Sequence, residues 1–318
     1  MEIFEGHRAL FRPLASPAVA VGNFDGVHLG HQRLIAEAIA AAGDLGGDAV
    51  VYTFDPHPAR LFAPDRAPAL ICTRERKLEL LAACGVDVCI VEPFTRELAS
   101  MGPDEFLDQV FRAVLGARCV VVGYDFTFGH QRAGTVDTLR VFGAAHGIDI
   151  RVIEPVAADA VVASSTEVRA RVTAGDLRGA AALLGRDFDL DGEVVRGAGR
   201  GRELGIPTAN IDFGASELIP PLGIYATWVQ VLDSDRPEHR YAGATSLGTN
   251  PTFGAGGART LEVYLLDFDG DLYGKRLRVG FIERLRGEVA FEGVDALLAE
   301  IRDDVRRTRT IFAKHSGC

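Results

Sequence analysis

The sequence predicts two domains in tandem: an α/β doubly wound N-terminal domain, then a C-terminal antiparallel β-barrel closed by a long C-terminal helix. Three observations predict this. A chain of 318 residues is long for one core and ample for two. Short apolar runs alternate with amphipathic segments through the first 184 residues, the pattern of a parallel sheet with right-handed helical crossovers. Beyond that point strand-like segments follow one another directly. Glycine occurs 17 times in residues 1–184 and 19 times in the shorter stretch 185–318, which calls for many turns.

In the first half the strands are Ala18 to Val21, Ala49 to Phe54, Val86 to Val91 and Ala117 to Gly123, each apolar enough to be covered on both faces. Leu34, Ile35, Ala38, Ile39 and Ala42 share one helical face. So do Phe106, Leu107, Val110, Phe111, Val114 and Leu115, in a helix that Pro103 can open. Thr73 suits the N-cap of a helix over Arg74 to Cys84. In the second half the strands are Gly192 to Arg196, Ile224 to Leu232, Tyr241 to Leu247, Leu261 to Phe268 and Leu277 to Leu285. The closing helix runs from Val294 to Phe312, with Leu297, Leu298, Ile301 and Val305 as its buried stripe. The expected domains are 1–186 and 187–318, with a hinge over Gly185 to Asp191.

Composition narrows the function. Hydrophobic content of 47% with 25% charged residues is that of a globular protein, and no stretch approaches the roughly 20 apolar residues of a membrane span. Charges scattered from Met1 to Pro13 exclude a secretion signal, so a cytoplasmic location is expected. Five cysteines with no CxxC pair argue against disulfides and against a cysteine zinc site; Cys119, in an apolar run, reads as core. A formal charge of −10 argues against nucleic acid. It does not argue against nucleotides, whose phosphates can be neutralised locally by a few cationic side chains and Mg²⁺. A homo-oligomer is left open.

The run Gly22-Asn23-Phe24-Asp25-Gly26-Val27-His28-Leu29-Gly30-His31 follows a strand and opens a helix. A helix N-terminus with free N–H groups is an anion site, Gly30 permits close approach of a phosphate, and histidines can donate to it. HxxH could also hold a metal, but no third ligand stands at zinc-like spacing. In Ser164-Ser165-Thr166-Glu167-Val168-Arg169, Ser165 and Thr166 sit at a helix start with Arg169 three residues after Thr166. By itself that is a capping motif; with the first run it makes a second phosphate clamp.

This pair of motifs in an α/β domain resembles the nucleotidylyltransferase superfamily, which implies a Rossmann-like fold whose histidines hold the triphosphate of ATP. Thr53-Phe54-Asp55-Pro56-His57-Pro58 and Gly123-Tyr124-Asp125-Phe126-Thr127-Phe128-Gly129 resemble stretches of the bacterial bifunctional riboflavin kinase/FAD synthetase family. The resemblance implies ATP contacts at Gly22, Asn23, Phe24, Gly30, Ser165 and Thr166, and charge stabilisation by His28, His31 and Arg169. It places the flavin at Phe62 and Phe128, with Asp125 near the reacting phosphates. A core role for Phe54 and Phe126 stays open.

The segment Gly197 to Asn210 is too glycine-rich for a core strand and lacks the P-loop pattern GxxxxGK[ST]. Its GRxLGxPTAN run, Gly201 to Asn210, resembles the hallmark of riboflavin kinases, with Ile206 where Phe is common. That resemblance implies ATP contacts at Gly201, Arg202, Thr208 and Asn210, with Thr208 and Asn210 also holding Mg²⁺. Gly248-Thr249-Asn250-Pro251-Thr252-Phe253 resembles a second family loop, and Ser246 takes a place often held by Asn. Glu262 stands in an otherwise apolar strand; the pattern alone leaves it facing inward or outward. The family assigns it as general base toward the ribityl hydroxyl, and Arg286 to the flavin side. The resemblance runs from Val19 to Asp304 over at least six motifs in family order. It implies two ATP-dependent steps, riboflavin to FMN with release of ADP, then FMN to FAD with release of pyrophosphate. The rivals are a flavin-binding protein without catalysis, an adenylyltransferase with a degenerate kinase half, and an adenylyltransferase for another acceptor, which would not need the barrel.

Overall fold

The computed structural model describes residues 1–197, 205–249, 259–289 and 291–315. Contacts divide the chain into two units, Met1–Ala69 with Arg74–Ser165, and Leu70–Thr73 with Thr166–Cys318.

The first unit is built on six parallel strands, β1 (Glu2–Glu5), β2 (Ala18–Val21), β3 (Ala49–Asp55), β4 (Val88–Pro93), β5 (Cys119–Gly123) and β6 (Asp149–Ile153), in the order β1-β4-β3-β2-β5-β6. Helix α1 (Leu29–Leu45) follows β2, α2 (Pro58–Phe62) and α3 (Arg74–Ala83) follow β3, and α4 (Arg96–Ser100) and α5 (Pro103–Phe106) follow β4; α6 (Val136–His146) follows β5. Every residue of β2 is buried, because its alternate side chains feed two cores. Val19 and Val21 join Tyr52, Phe106 and Phe111 on one face; Ala18 and Ala20 meet Ile35, Ala38 and Leu81 on the other. The chain proceeds outward from β2 through β3 and β4, then returns to lay β5 on the opposite side of β2. That reversal makes the carboxyl end of β2 the switch point where open α/β sheets hold ligands.

The expected central strands are present; the edge strands β1 and β6 were not expected. Only Phe4 of β1 is buried, and β6 carries Asp149 and Arg151, so neither is the uniformly apolar run of an interior strand. The helix opened by Pro103 also departs from expectation. Past Phe106 it winds as a π-helix over Leu107–Val114, and this turns Val114 outward to 44% exposure while Phe106, Leu107, Val110, Phe111 and Leu115 stay buried. Cys89 and Cys119 are buried thiols, pushed up by burial to about 12 and about 11.

Helix α7 (Ser165–Ala174) begins with the last residue of the first unit; from Thr166 on it belongs to the second, where it and α8 (Leu177–Leu184) precede the strands β9 (Phe188–Val195), β10 (Ala209–Asp212), β11 (Gly223–Val231), β12 (Tyr241–Thr249), β13 (Arg259–Leu265) and β14 (Arg276–Arg286). These form a closed antiparallel barrel in the order β10-β13-β12-β11-β14-β9, and helix α9 (Val294–His315) ends the chain. (The two-residue strands β7 (Ala157–Ala158) and β8 (Val161–Val162) pair as a ribbon in the first unit.) Phe188, Leu190, Tyr225, Val263 and Phe281 fill the barrel core. Gly280 is required there, since a Cβ would fall 2.0 Å from the Trp228 ring.

Two expectations need correction here. The hinge expected over Gly185 to Asp191 is strand from Phe188 onward: Phe188 and Leu190 point into the core, and the intervening acids, which look like loop residues, are held by arginines. Asp191 receives two bonds of 2.7 Å from Arg278, and Asp189 lies 3.8 Å from Arg186. On α9 the stripe of Leu297, Leu298, Ile301 and Val305 is half-buried, and the fully buried positions are Asp304 and Thr308. Both lie on the expected face, where Asp304 is accepted because Arg286 neutralises it.

With Arg278 and Asp191 side chains only 7% and 17% exposed, removal of one partner strands the other charge. Asp191→Ala is expected to cost the barrel about 3 kcal/mol. Urea unfolding followed by fluorescence of the single tryptophan, Trp228, measures it; a change below about 1 kcal/mol, the worth of an exposed pair, would refute the claim.

Candidate functional site

Two constellations carry chemistry, one in each unit. In the first, the β2 ladder extends to Gly22, whose N–H donates to Tyr52 O at 3.2 Å. The chain then turns through Phe24 (φ +50°), Gly26 (φ +78°) and Val27 (φ +41°). Non-glycine residues with positive φ persist only where surroundings hold them. Phe24 and Val27 are 0% and 1% exposed, so packing holds one side of the turn. Side chains hold the other. The Asn23 carbonyl accepts from Thr53 Oγ1 (3.1 Å) and Lys77 Nζ (3.4 Å), the Asp25 carbonyl from Ser165 Oγ (3.1 Å), and the Val27 carbonyl from Gln32 Nε2 (2.9 Å). Alternate carbonyls are thus each tied by a donor from another element.

This turn delivers His28 to the N-cap of α1, where its Nδ1 accepts from His31 N–H at 3.4 Å. An accepting Nδ1 puts the ring proton of neutral His28 on Nε2, which makes that atom a donor. The His28 and His31 rings stack 3.6 Å apart, and the Phe24 ring meets His31 edge-on at 5.2 Å. A Cβ on Gly30 would fall 3.1 Å from both Ala163 O and His28 Cε1. The glycine therefore keeps this helix mouth open beside the imidazole, the geometry of an anion cradle.

The remaining candidates of the first motifs fall as follows. Asn23 is exposed; Thr166 is exposed and Arg169 half-buried, one turn apart on α7. Phe62 is 68% exposed on α2 and meets Phe94 edge-on. Asp125 is exposed just past β5. Phe128 is 8% exposed, stacks on Phe126 with centroids 5.5 Å apart, and belongs to the core cluster with Phe106. Thr53, Lys77 and Gln32 were not anticipated. Lys77 gave a signal, since it shares a helical face with Leu81, four residues on, and both are buried.

In the second unit a cavity of about 310 Å³ opens on the outside of the barrel against α9, lined among others by Thr208, Ser246, Glu262, Arg286, Leu297 and Ile301. Strand alternation settles the direction of Glu262. Leu261, Val263 and Leu265 are buried in the barrel, so Glu262 and Tyr264 face out into the cavity. Register does the rest: Glu262 is opposite Asn210 on one side and Ser246 on the other, Ser246 is opposite Ile224, and Ile224 is opposite Arg286. One row across five strands thus assembles the polar groups, and Thr208 Oγ1 adds a hydrogen bond of 3.4 Å to Glu262 Oε2. Thr208, Asn210 and Glu262 are hard oxygen donors of the kind Mg²⁺ takes. Among the described residues no group of three or more His, Cys, Asp or Glu could hold a metal alone.

Arg286 bonds Asp304 at 2.7 Å through Nη2, lies 3.3 Å from Glu300, and covers the Phe291 ring at 5.6 Å. Its charge is therefore already compensated at the cavity wall. The side chain of Asn210 lies against the backbone of Gly197, where a Cβ would come within 2.2 Å of its amide nitrogen. Gly201, Arg202 and the loop from Asn250 to Phe253 lie outside the described residues.

Two families match the chain, FAD synthetase over residues 11–167 and riboflavin kinase over residues 184–312. Bifunctional riboflavin kinase/FMN adenylyltransferases are similar along nearly the whole length. That of Pseudomonas fluorescens is 37% identical over 98% of both chains, and that of Escherichia coli K12 is 35% identical over 98% of both. That of Listeria monocytogenes is 36% identical over 93% of this chain and 92% of its own. A solved structure titled macrolide-efflux protein, from Streptococcus pneumoniae, superposes with a TM-score of 0.84 at 30% identity, covering 96% of this chain and 98% of that one. No helix among the described residues here is long and apolar enough to cross a membrane.

Gly30→Ala is expected to push His28 out of the mouth and weaken anion binding about tenfold, near 1.4 kcal/mol. Titration of pyrophosphate followed through the His28 and His31 imidazole NMR signals measures it, and an unchanged midpoint would remove the helix mouth from phosphate binding.

Proposed function

The chain belongs to the bifunctional riboflavin kinase/FMN adenylyltransferase family, and from that premise we propose how its two units divide and perform the two ATP-dependent reactions. Residues 1–186 carry adenylyl transfer and residues 187–318 carry the kinase. What supports the reading is one observation: a histidine-capped helix mouth and a carboxylate-bearing cavity occur in separate units of one chain.

In the adenylyl step an oxygen of the FMN phosphate attacks the α-phosphorus of ATP, and the bond to the β-phosphate oxygen breaks to release pyrophosphate. The nucleophile is already an oxyanion, so the protein needs no base; it must align the phosphate in line and stabilise charge on the leaving group. Nε2–H of His28, with His31 and the α1 N-terminus, meets that charge. Arg169, Ser165 and Thr166 at the start of α7 supply the second clamp, and Gly22, Asn23, Phe24 and Gly30 line the nucleotide. FMN lies at Phe62 and Phe128 with Asp125 near the reacting phosphates; the exposed Phe62 ring presents the larger surface for stacking.

In the kinase step Glu262 accepts the proton of the ribityl 5′-hydroxyl as that oxygen attacks the γ-phosphorus, and ADP leaves. The cavity has the size of a small-molecule site, its apolar wall of Leu297 and Ile301 suits the flavin ring, and Arg286 stands on the flavin side. Mg²⁺ fits the oxygen donors Thr208 and Asn210, where it would neutralise the ATP phosphates. Gly201 and Arg202 complete the ATP contacts. A cytoplasmic location is proposed, supported by the buried thiols of Cys89 and Cys119, which form no disulfide. Riboflavin, FMN, FAD, ATP, ADP and pyrophosphate are the proposed ligands.

His28→Ala is expected to lower FAD formation from FMN by at least about 100-fold, the effect of one lost charge-stabilising donor, while riboflavin phosphorylation persists. Flavin chromatography measures both, and loss of both steps in a folded variant would refute the division of labour. Glu262→Gln is expected to reduce the kinase rate about 100- to 10,000-fold, the range for a general base, with ATP affinity little changed. An unchanged rate would remove Glu262 from the mechanism.

A further inference from the structure

Lys77 is buried, at 8% exposure, within the first unit. Its Nζ has three hydrogen-bond acceptors: the Asn23 carbonyl (3.4 Å), Thr53 Oγ1 (3.3 Å) and the Phe54 carbonyl (3.3 Å). None of the three is a carboxylate. Burying an ammonium without a counter-charge is unfavourable, and an apolar side chain of equal length would fill the same space more cheaply. What the ammonium does, and an apolar chain cannot, is donate in three directions at once.

Its acceptors sit at one place in the fold. Asn23 begins the strained turn that delivers His28 to the helix mouth, and Thr53 and Phe54 lie near the carboxyl end of β3, which passes through Pro56 and His57 into α2. Past Gly22 the β2 ladder has ended, so the Asn23 carbonyl needs a donor from elsewhere. Thr53 Oγ1 donates to that carbonyl and accepts from Lys77, which closes a small ring of bonds between the two loops. The turn is thus anchored to the carboxyl edge of β3 by Lys77 Nζ together with the Thr53 hydroxyl.

We propose that Lys77 is a positioning residue for adenylyl transfer: it fixes the histidine turn, read above as the ATP-phosphate side, in register with the end of β3, which leads into α2 and its proposed flavin residue Phe62. The proposal rests on the functional reading above. Alignment of two reacting phosphates is sensitive to displacements of the order of 1 Å, so loss of the anchor lowers turnover more than binding.

The experiment compares wild type, Lys77→Met and Lys77→Gln in steady-state FAD formation from FMN and ATP, with riboflavin phosphorylation by the same preparation as the internal control for folding. For Lys77→Met, kcat for FAD formation is expected to fall about 100-fold with both KM values within about threefold of wild type, and the kinase rate unchanged. Lys77→Gln keeps a neutral donor and is expected to recover at least about tenfold of that loss. A Lys77→Met kcat within about twofold of wild type overturns the proposal, as does a rise in KM with kcat unchanged, which marks plain substrate binding. Should Lys77→Met lose the kinase step as well, Thr53→Val decides, because it removes a donor from the same carbonyl and an acceptor from Lys77 at similar volume. A selective fall in FAD formation of about fivefold or more then supports the anchor, one hydrogen bond's worth, and unchanged rates overturn it. Wild-type protein that phosphorylates riboflavin but forms no FAD would sink the functional reading itself; normal wild-type FAD formation with an unaffected Lys77→Met sinks only the role of Lys77.

Discussion

A chain with a formal charge of −10 has to accommodate polyanionic phosphates without a net positive charge to attract them. Positive potential therefore has to be made locally, from oriented N–H groups, a few side chains and a divalent ion. In the first unit the proposed source is the mouth of α1, where Nδ1 of the N-capping His28 accepts from His31 N–H and Gly30 leaves space beside the imidazole. In the second the proposed source is Mg²⁺, for which the oxygen donors Thr208 and Asn210 beside Glu262 are suited. The two solutions differ because the scaffolds differ. A parallel sheet presents helix N-termini past the carboxyl ends of its strands, whereas a barrel presents rows of side chains set by register.

In both units precision comes from rigid elements supporting irregular segments. The turn after β2 carries three positive-φ residues within four positions, a costly conformation. Buried Phe24 and Val27 on one side, and donors from β3, α1, α3 and the start of α7 on the other, together determine its shape. On the barrel, Asn210, Glu262, Ser246 and Arg286 are far apart in sequence yet fall on one cross-strand row. Pinning of the strands by core residues such as Val263 and Phe281 holds that row in place.

Much of this was legible in the residues. Uniformly apolar runs revealed β2, β3, β4 and β5, and alternation with glycine-rich turns revealed five of the six barrel strands. The motifs around His28 and Glu262 pointed to sites that fall at the sheet's switch point and at a cavity. What was illegible has physical causes. Edge strands β1 and β6 are covered on fewer sides and keep polar residues. Strand β10 is short and follows a glycine-rich segment, so its pattern is weak. Asp191 and Asp304 read as surface acids because Arg278 and Arg286, their partners, are remote in sequence. The direction of Glu262 needed the burial of both its neighbours. Thr53 and Gln32 act on backbone carbonyls, which leave no trace in a sequence motif, and Lys77 offered only its helical spacing from Leu81.

The most direct measurement is the binding stoichiometry of a non-hydrolysable ATP analogue to the intact chain with Mg²⁺, by titration calorimetry. Two molecules per chain are expected, because each unit is proposed to hold its own triphosphate. Saturation at one molecule per chain would contradict the existence of two independent nucleotide sites.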